Sequence, residues 1–410
     1  MKTYSCIYTI TLAILAALFA FKSNAQDARI MQFQSQYEKY HSQYREIKSS
    51  GRYSDAIVPL KDLVTLFDTT TIYKDAKFQI PEGAIVMQKS MFQYDLACCY
   101  ALTGQKKQAL AMLGESVANG YNDYNNMVRD NDFESLRGDK KFQSLLATVK
   151  GRMPIEVLKR SNSFKEESNA QIPAFKYQSK EDTSLEYLRE YFQLDTIAGR
   201  DNELEYIKNI LHFAHDNIRH DGGNRATVEF DAIDLYNYTK ATGKGVNCRQ
   251  LAISLAGMYL AQGIKARVVT CLPADPNDYE CHVINAVYSE TLGKWLYIDP
   301  TMDAWVMDEN GTMLSIMEVR ERLIDGRELV LCETANWNHE NIQTKENYLD
   351  NYMAKNLYYF VCKEISCFNP ESVYRNVDNE DIRLIPDGFV NDNFKCPTTT
   401  DAAAFWARPE

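Results

Sequence analysis

Apolar side chains recur at three- and four-residue steps through most of the first 150 positions, a period that predicts helices. In YDLACCYALTGQKKQALAMLG, Leu96, Ala97, Tyr100 and Ala101 share one face, and Ala109, Leu110, Met112 and Leu113 share another after Gly104. Small residues at Ala97 and Ala109 let two antiparallel helices approach closely across the glycine turn. From 151 to 182 the period dissolves into polar residues with Pro154 and Pro173. It returns in LEYLREYFQL (185–194) and LEYIKNILHFAHDNIRHDGG (204–223), two amphipathic helices, the second stopped by Gly222 and Gly223. After Cys248 the helix is apolar over a wide arc. Leu251, Leu255 and Tyr259 form one ladder and Ala252, Ala256 and Leu260 its neighbour, so this helix is expected to be buried, with Gly263 closing it. The period then shortens to two. IKARVVT reads as a strand and CHVINAVYSETLGKWLYIDPT as a hairpin with its loop at Glu290 to Gly293. Tyr-rich runs such as NLYYFVCKEISCF, within 336–410, read as added strands. A helical half followed by a helix-backed antiparallel sheet makes an α+β chain.

A second helix hairpin is visible upstream. In YREIKSSGRYSDAIVPL, Gly51 aligns with Gly104 and Ala56 with Ala109, both at an offset of 53. The repeated hairpin resembles the tetratricopeptide repeat, whose period is about 34 residues. The longer offset implies an insertion, and TLFDTTTIYKDAKFQIPEGA (65–84) has loop-like content to supply it. Two hairpins are fewer than the roughly three that stack a stable solenoid. The repeats serve either as a peptide-binding groove or as a packing and spacing module. The expected organisation is a leader over 1–25, a helical repeat-like domain over 26–150, a linker over 151–184, an α+β domain over 185–335 and its extension over 336–410.

The leader reading rests on a lysine near the start, an apolar run, and small Ser23 and Ala25 at the positions a secretory signal peptidase selects. Cleavage after Ala25 would make the protein secreted or periplasmic, with no membrane span remaining. A length of 410 residues suggests two or three domains, and 45% hydrophobic with 25% charged residues is ordinary for globular chains. The net charge of −11 argues against nucleic acid and anionic membranes as partners. Ten cysteines become nine once Cys6 leaves with the leader, an odd number that keeps at least one thiol out of intramolecular disulfides. Without a C-x-x-C pair, a zinc ribbon or thioredoxin-like site is disfavoured.

Cys248 stands at the first turn of the buried helix, where the positive end of the macrodipole favours thiolate, and Asn247 is placed to cap that terminus. Taken alone it reads equally as a disulfide partner or a small residue at a helix start. A thiolate nucleophile needs a base, and His282 at the opening of the hairpin is the candidate. With the loop at 290–293, His282 faces Thr301 and Asp299 is its diagonal neighbour on the same face. A register shifted by one residue would separate them. Asp299 would then orient the imidazole and stabilise its protonated form.

G-x-x-C-R-Q-L-A at 245–252, G-I-K-A-R-V-V at 263–269, His282-Val283 and W-L-Y-I-D-P-T at 295–301 together resemble the transglutaminase-like superfamily, over roughly 185–331. The resemblance implies a papain-like fold, with Cys248 as nucleophile, His282 as general base and acid, and Asp299 as the orienting carboxylate. Arg267 matches a common strand arginine and is read as structural, paired with a buried carboxylate. Many members carry an aromatic residue two places after the histidine, where this chain has Ile284. For the oxyanion, the Cys248 backbone N–H is one candidate donor, and Tyr236 or Tyr238 another. A competing constellation is His212, His215 and His220, of which the first two lie one helical turn apart as metal ligands can. Without a carboxylate or cysteine at a matching spacing, helix-end and surface histidines are the expectation.

The function expected is that of an exported cysteine enzyme cleaving peptide or amide bonds through a thioester, with no cofactor. Hydrolysis is favoured, because nothing here resembles the sandwich domains or calcium clusters of the animal cross-linking enzymes. A protein-glutamine transglutaminase, and a non-catalytic scaffold gripping peptides with its repeats, are the alternatives. Peptides, cell-wall peptide stems and glycan-linked asparagine amides all remain candidate substrates.

Overall fold

The computed structural model describes residues 28–410 except 76–79, 166–171, 200–201, 276–277, 279 and 391–394. The leader expected over 1–25 lies outside the described residues. No described helix is long and apolar enough to cross a membrane. The chain divides into two compact units, Met1–Met153 and Pro154–Glu410.

The first unit is helical: α1 (Ala28–Ser49), α2 (Tyr53–Thr69), α3 (Glu82–Leu102), α4 (Lys106–Ala118), α5 (Tyr124–Arg129) and α6 (Lys140–Lys150), with a 3₁₀ segment at Asn131–Leu136. α1 packs on α2 and α3 on α4 as hairpins, and α2 packs on α3. Gly51 and Gly104 both turn the chain with φ near +70°, a conformation that disfavours a Cβ. Ala56, Ala97 and Ala109 are fully buried, as close helix crossings require. Helix α2 runs to Thr69, so the insertion between the two hairpins is shorter than the 65–84 read from composition.

The second unit opens with α7 (Pro154–Lys159) and β1 (Lys176–Tyr177). The stretch 151–184, expected as a linker, is largely built into this unit. β1 pairs in parallel with Ile365–Ser366, Lys165 bridges to Asp401, and the Arg320 guanidinium donates to Ser161 Oγ. Polar composition there reflects an edge position rather than a free tether. Then follow α8 (Thr183–Phe192), α9 (Leu194–Ala198), α10 (Glu203–Asn217), α11 (Ala232–Thr242) and α12 (Cys248–Ala261). Asp182, Asn202, Asp231 and Asn247 cap α8, α10, α11 and α12 respectively, each accepting from a first-turn backbone N–H.

The sheet is an antiparallel meander of β2 (Ala266–Leu272), β3 (His282–Ser289), β4 (Lys294–Asp299), β5 (Ala304–Met307) and β6 (Val330–Leu331). A small hairpin, β7 (Asn336–Trp337) and β8 (Asn341–Ile342), stands apart from it. The chain returns as β9 (Tyr359–Lys363) beside β2, with β10 (Ile365–Ser366) pairing β1, and β11 (Asp381–Leu384) and β12 (Thr398–Thr399) complete the far edge. Helix α12 lies on β2 and β3, and every residue from Gln250 to Ala261 is buried. Asn285, itself buried on β3, donates to the Ala252 carbonyl at 2.9 Å and fixes the depth of the helix over the sheet.

Arg267 is buried on β2, as a structural arginine should be, but its partners are not carboxylates. The guanidinium donates to the Phe405 carbonyl and Tyr177 hydroxyl and lies over the Phe175 and Trp295 rings. A planar, weakly hydrated cation is satisfied by aromatic faces and carbonyls where an ammonium would not be.

Candidate active site

Three elements converge at one end of the sheet: the start of α12, the start of β3 and the end of β4. Ser289 pairs with Lys294 and Asn285 with Ile298, leaving Glu290 to Gly293 as the loop. That register brings His282 and Asp299 onto one face, and His282 Nε2 lies 2.7 Å from Asp299 Oδ2. Both side chains are almost wholly buried. Asp299 also accepts from the Thr301 N–H at 2.8 Å and the Tyr348 hydroxyl at 2.5 Å. Tyr348 and Tyr352 come from a π-helical turn, Glu346–Met353, that sequence reading did not single out. Tyr352 sets its ring edge-on to His282, with centroids 5.1 Å apart.

Burial alone would push Asp299 up, but the His282 charge and hydrogen bond, with those of Tyr348 and Thr301, hold its carboxyl below the ordinary value. Burial would push His282 down. The Asp299 carboxylate outweighs it and lifts the imidazole well above its usual range. With Nε2 held by Asp299, Nδ1 is left for the thiol.

Cys248 is half-buried at the N-terminus of α12, where Asn247 Oδ1 accepts from the Gln250 N–H at 3.0 Å. Burial raises its thiol, yet hydrogen bonds from His220 and His282, the His282 charge and the Val283 N–H bring it down to about 6. The described cysteines are all free thiols, so the odd count had no bearing on Cys248. Burial raises Cys98, Cys99, Cys271, Cys281, Cys332, Cys362 and Cys367, and among the described cysteines Cys248 alone is driven toward thiolate.

The three histidines weighed as metal ligands go to three different partners. His212 pairs with Asp303 at 2.7 Å, His215 bonds the Pro300 carbonyl and Asn336, and the Nδ1 of His220 accepts from the Trp337 indole N–H at 2.8 Å. They share no common centre. Of the tyrosines considered for the oxyanion, Tyr236 packs edge-on against Phe192, and the Tyr238 hydroxyl accepts from Asn224.

His220 was missed as a site residue, and Gly245 is the signal that could have found it. The His220–Asp221 backbone runs parallel beside the chain leading into Cys248, with Asp221 N–H bonded to the Val246 carbonyl at 2.7 Å and Val246 N–H to the Arg219 carbonyl at 2.8 Å. A Cβ on Gly245 would sit 2.7 Å from the His220 carbonyl carbon and the Asp221 nitrogen. The glycine of the G-x-x-C motif is therefore a point of close approach for a second chain segment. Arg249 and Gln250 tie down the same end of the helix. Arg249 forks onto Glu371 and reaches Thr270, while Gln250 exchanges two hydrogen bonds with Ala226.

Residues 191–300 match the family model for the transglutaminase-like superfamily. A 59-residue stretch is 37% identical to a chloroplastic protein of Arabidopsis thaliana, covering 14% of this chain. The chain spans only 18% of that relative's length. A crystal structure described as "a Putative Cysteine Protease from Cytophaga hutchinsonii" is similar at 17% identity and a TM-score of 0.23, over 33% of this chain and 43% of that one. The matched segment contains Cys248, His282 and Asp299 together with the helix and strands that position them, and it is over this segment that the chain is similar to the transglutaminase-like superfamily.

Proposed function

We propose that the second unit is a cysteine enzyme that opens amide or peptide bonds through a thioester, with Cys248 as nucleophile, His282 as base and acid, and Asp299 as the orienting carboxylate. The observation that carries the reading is the His282–Asp299 pair, 2.7 Å apart and shielded from water, beside a thiol lowered to about 6. At neutral pH these shifts favour a thiolate–imidazolium pair. The thiolate sulphur attacks the carbonyl carbon, the carbonyl electron pair moves to oxygen, and collapse expels an amine that takes its proton from His282. His282 then accepts a proton from the water that attacks the thioester, and collapse releases the acid and expels the sulphur as thiolate, restoring the thiolate–imidazolium pair.

Hydrolysis is the proposed outcome because water needs no second binding site, whereas a lysine acceptor does. Protein-glutamine cross-linking would use the same three groups. The leader-like residues 1–25 support export, and the helical hairpins of the first unit support a role in holding a protein partner. The test is to denature the protein in acid during turnover on a peptide mixture and weigh the peptide that bears Cys248. A mass increase equal to an acyl group, absent in His282→Ala, supports the reading. Adding an alkylamine separates the outcomes, since a cross-linker incorporates it and a hydrolase releases free acid.

A further inference from the structure

Two histidines border the Cys248 sulphur, and what stands behind each differs. Behind His282 is a carboxylate, so its ring can carry both protons. Behind His220 is an N–H donor: the Trp337 indole points at His220 Nδ1 from 2.8 Å, with the two rings edge-to-face. That contact needs a lone pair on Nδ1. A proton there would break it and set two N–H groups against each other. The ring is thereby fixed as the neutral tautomer whose proton sits on Nε2. This Nε2 is shielded from solvent, has no nitrogen or oxygen partner among the described residues, and faces the Cys248 sulphur, whose thiolate it favours. A donor that faces the sulphur in the resting site is also placed for the oxygen on the carbon that the sulphur attacks.

The backbone holds the ring in place from both sides. Asn338 accepts from the His220 N–H and donates to its carbonyl, both at 2.9 Å, while the Val246 bridge ties the same segment to the approach of Cys248. Asn338 and His339, at the turn of the β7–β8 hairpin, both take positive φ, which brings Trp337 and Asn338 onto one residue.

We propose that His220 is a catalytic residue that donates its Nε2–H to the carbonyl oxygen as negative charge develops there, with Trp337 as the positioning residue that fixes its tautomer. The inference rests on the thioester mechanism above. Two imidazoles beside one sulphur then do opposite work. His282 moves a proton, and His220 keeps its proton and offers it as a hydrogen bond. In the addition step the sulphur–carbon bond forms while the carbonyl π pair moves to oxygen, facing His220 Nε2–H. Collapse returns the pair and expels the leaving group.

The experiment compares two reactions of Cys248 in the full-length protein at pH 7. Alkylation by iodoacetamide needs the thiolate but creates no oxyanion. Acylation by p-nitrophenyl acetate needs both. In His220→Leu, acylation should fall roughly 100-fold, in line with loss of one oxyanion donor, while alkylation stays within about threefold of wild type. His220→Gln, which again offers an N–H, should recover part of the acylation. Trp337→Phe keeps the ring and removes the donor. It should slow acylation several-fold in the wild-type background and have no further effect in His220→Leu. Unchanged acylation in His220→Leu overturns the proposal, as does an equal fall in both reactions, which would mean His220 serves only the thiolate. Additive effects of the two substitutions would overturn the role of Trp337. Failure of the thioester mechanism itself looks different: wild type would then alkylate like an ordinary thiol and fail to acylate at all.

Discussion

Replacing Gly245 with alanine adds one carbon at the point where two parallel chain segments touch. The new Cβ would lie 2.7 Å from backbone atoms of His220 and Asp221, and ordinary contact begins at 3.4 Å, so one segment must move by about 0.7 Å. Neither neighbour is a flexible side chain that can swing aside. A shift of that size strains the two hydrogen bonds of 2.7 and 2.8 Å joining Val246 to Asp221 and Arg219. Each is worth about 0.5–1.5 kcal/mol, and forced overpacking adds about 1–3 kcal/mol, giving about 2–6 kcal/mol in all. At about 2–4 °C per kcal/mol for a unit of this size, the second unit should melt roughly 4–24 °C lower. Calorimetry on the full chain reads this directly. Acylation by p-nitrophenyl acetate, measured well below the new transition, should fall further than stability explains, because His220 moves away from Cys248. Gly114→Ala is the control: it lies in α4 with open space around it, and should stabilise by up to about 1 kcal/mol. A Gly245→Ala protein that melts within about 1 °C of wild type and keeps its rate would refute the close approach.

Other consequences concern the groups behind the thiol. Asp299→Asn should release the hold on His282, move the Cys248 thiol up toward its ordinary range and slow acylation at least about 100-fold, as read by pH-dependent alkylation and ester turnover. Tyr348→Phe removes one of the donors to a buried carboxylate and should lower stability at pH 7 by about 1.5–3 kcal/mol in urea melts. The sign with pH follows from the depressed Asp299 carboxyl: its stabilisation is present above the unfolded value and fades as pH falls through the folded one, so wild type and Tyr348→Phe should converge in acid. Asn285→Leu leaves helix α12 without its polar tie to β3 and should cost about 1–3 kcal/mol in the same melts.

The parts of this site that are local in sequence were legible there. A buried helix, its Asn247 cap, and a hairpin whose loop length sets which residues share a face are all fixed by short-range periodicity. Cys248, His282 and Asp299 were candidates on this frame and on the family resemblance together, and the hairpin register brings His282 and Asp299 into contact. The His220 contact was not legible because its partners are Trp337, more than a hundred residues downstream, and the backbone at Gly245. Nothing periodic marks such a meeting. Arg267 shows the same limit in another form: burial of a strand arginine was readable, but its aromatic partners Phe175 and Trp295 come from segments that only the fold brings together. The polar stretch 151–184 was misjudged because an edge strand and a linker share a composition; only pairing with Ile365–Ser366 separates them. Tyr348 escaped notice because a single buried hydroxyl leaves no trace in a pattern of apolar positions.

The central claim is that Cys248 works as a thiolate paired with the His282 imidazolium, and the rate of its alkylation as a function of pH tests it most directly. The thiol is lowered to about 6 and the imidazole raised, so the rate should climb through a midpoint near pH 6 and stay high through neutrality. In His282→Ala the midpoint should move up by at least one pH unit, with the fold unchanged by circular dichroism. A wild-type midpoint in the ordinary thiol range of about 8.5, unmoved by His282→Ala, would contradict the account.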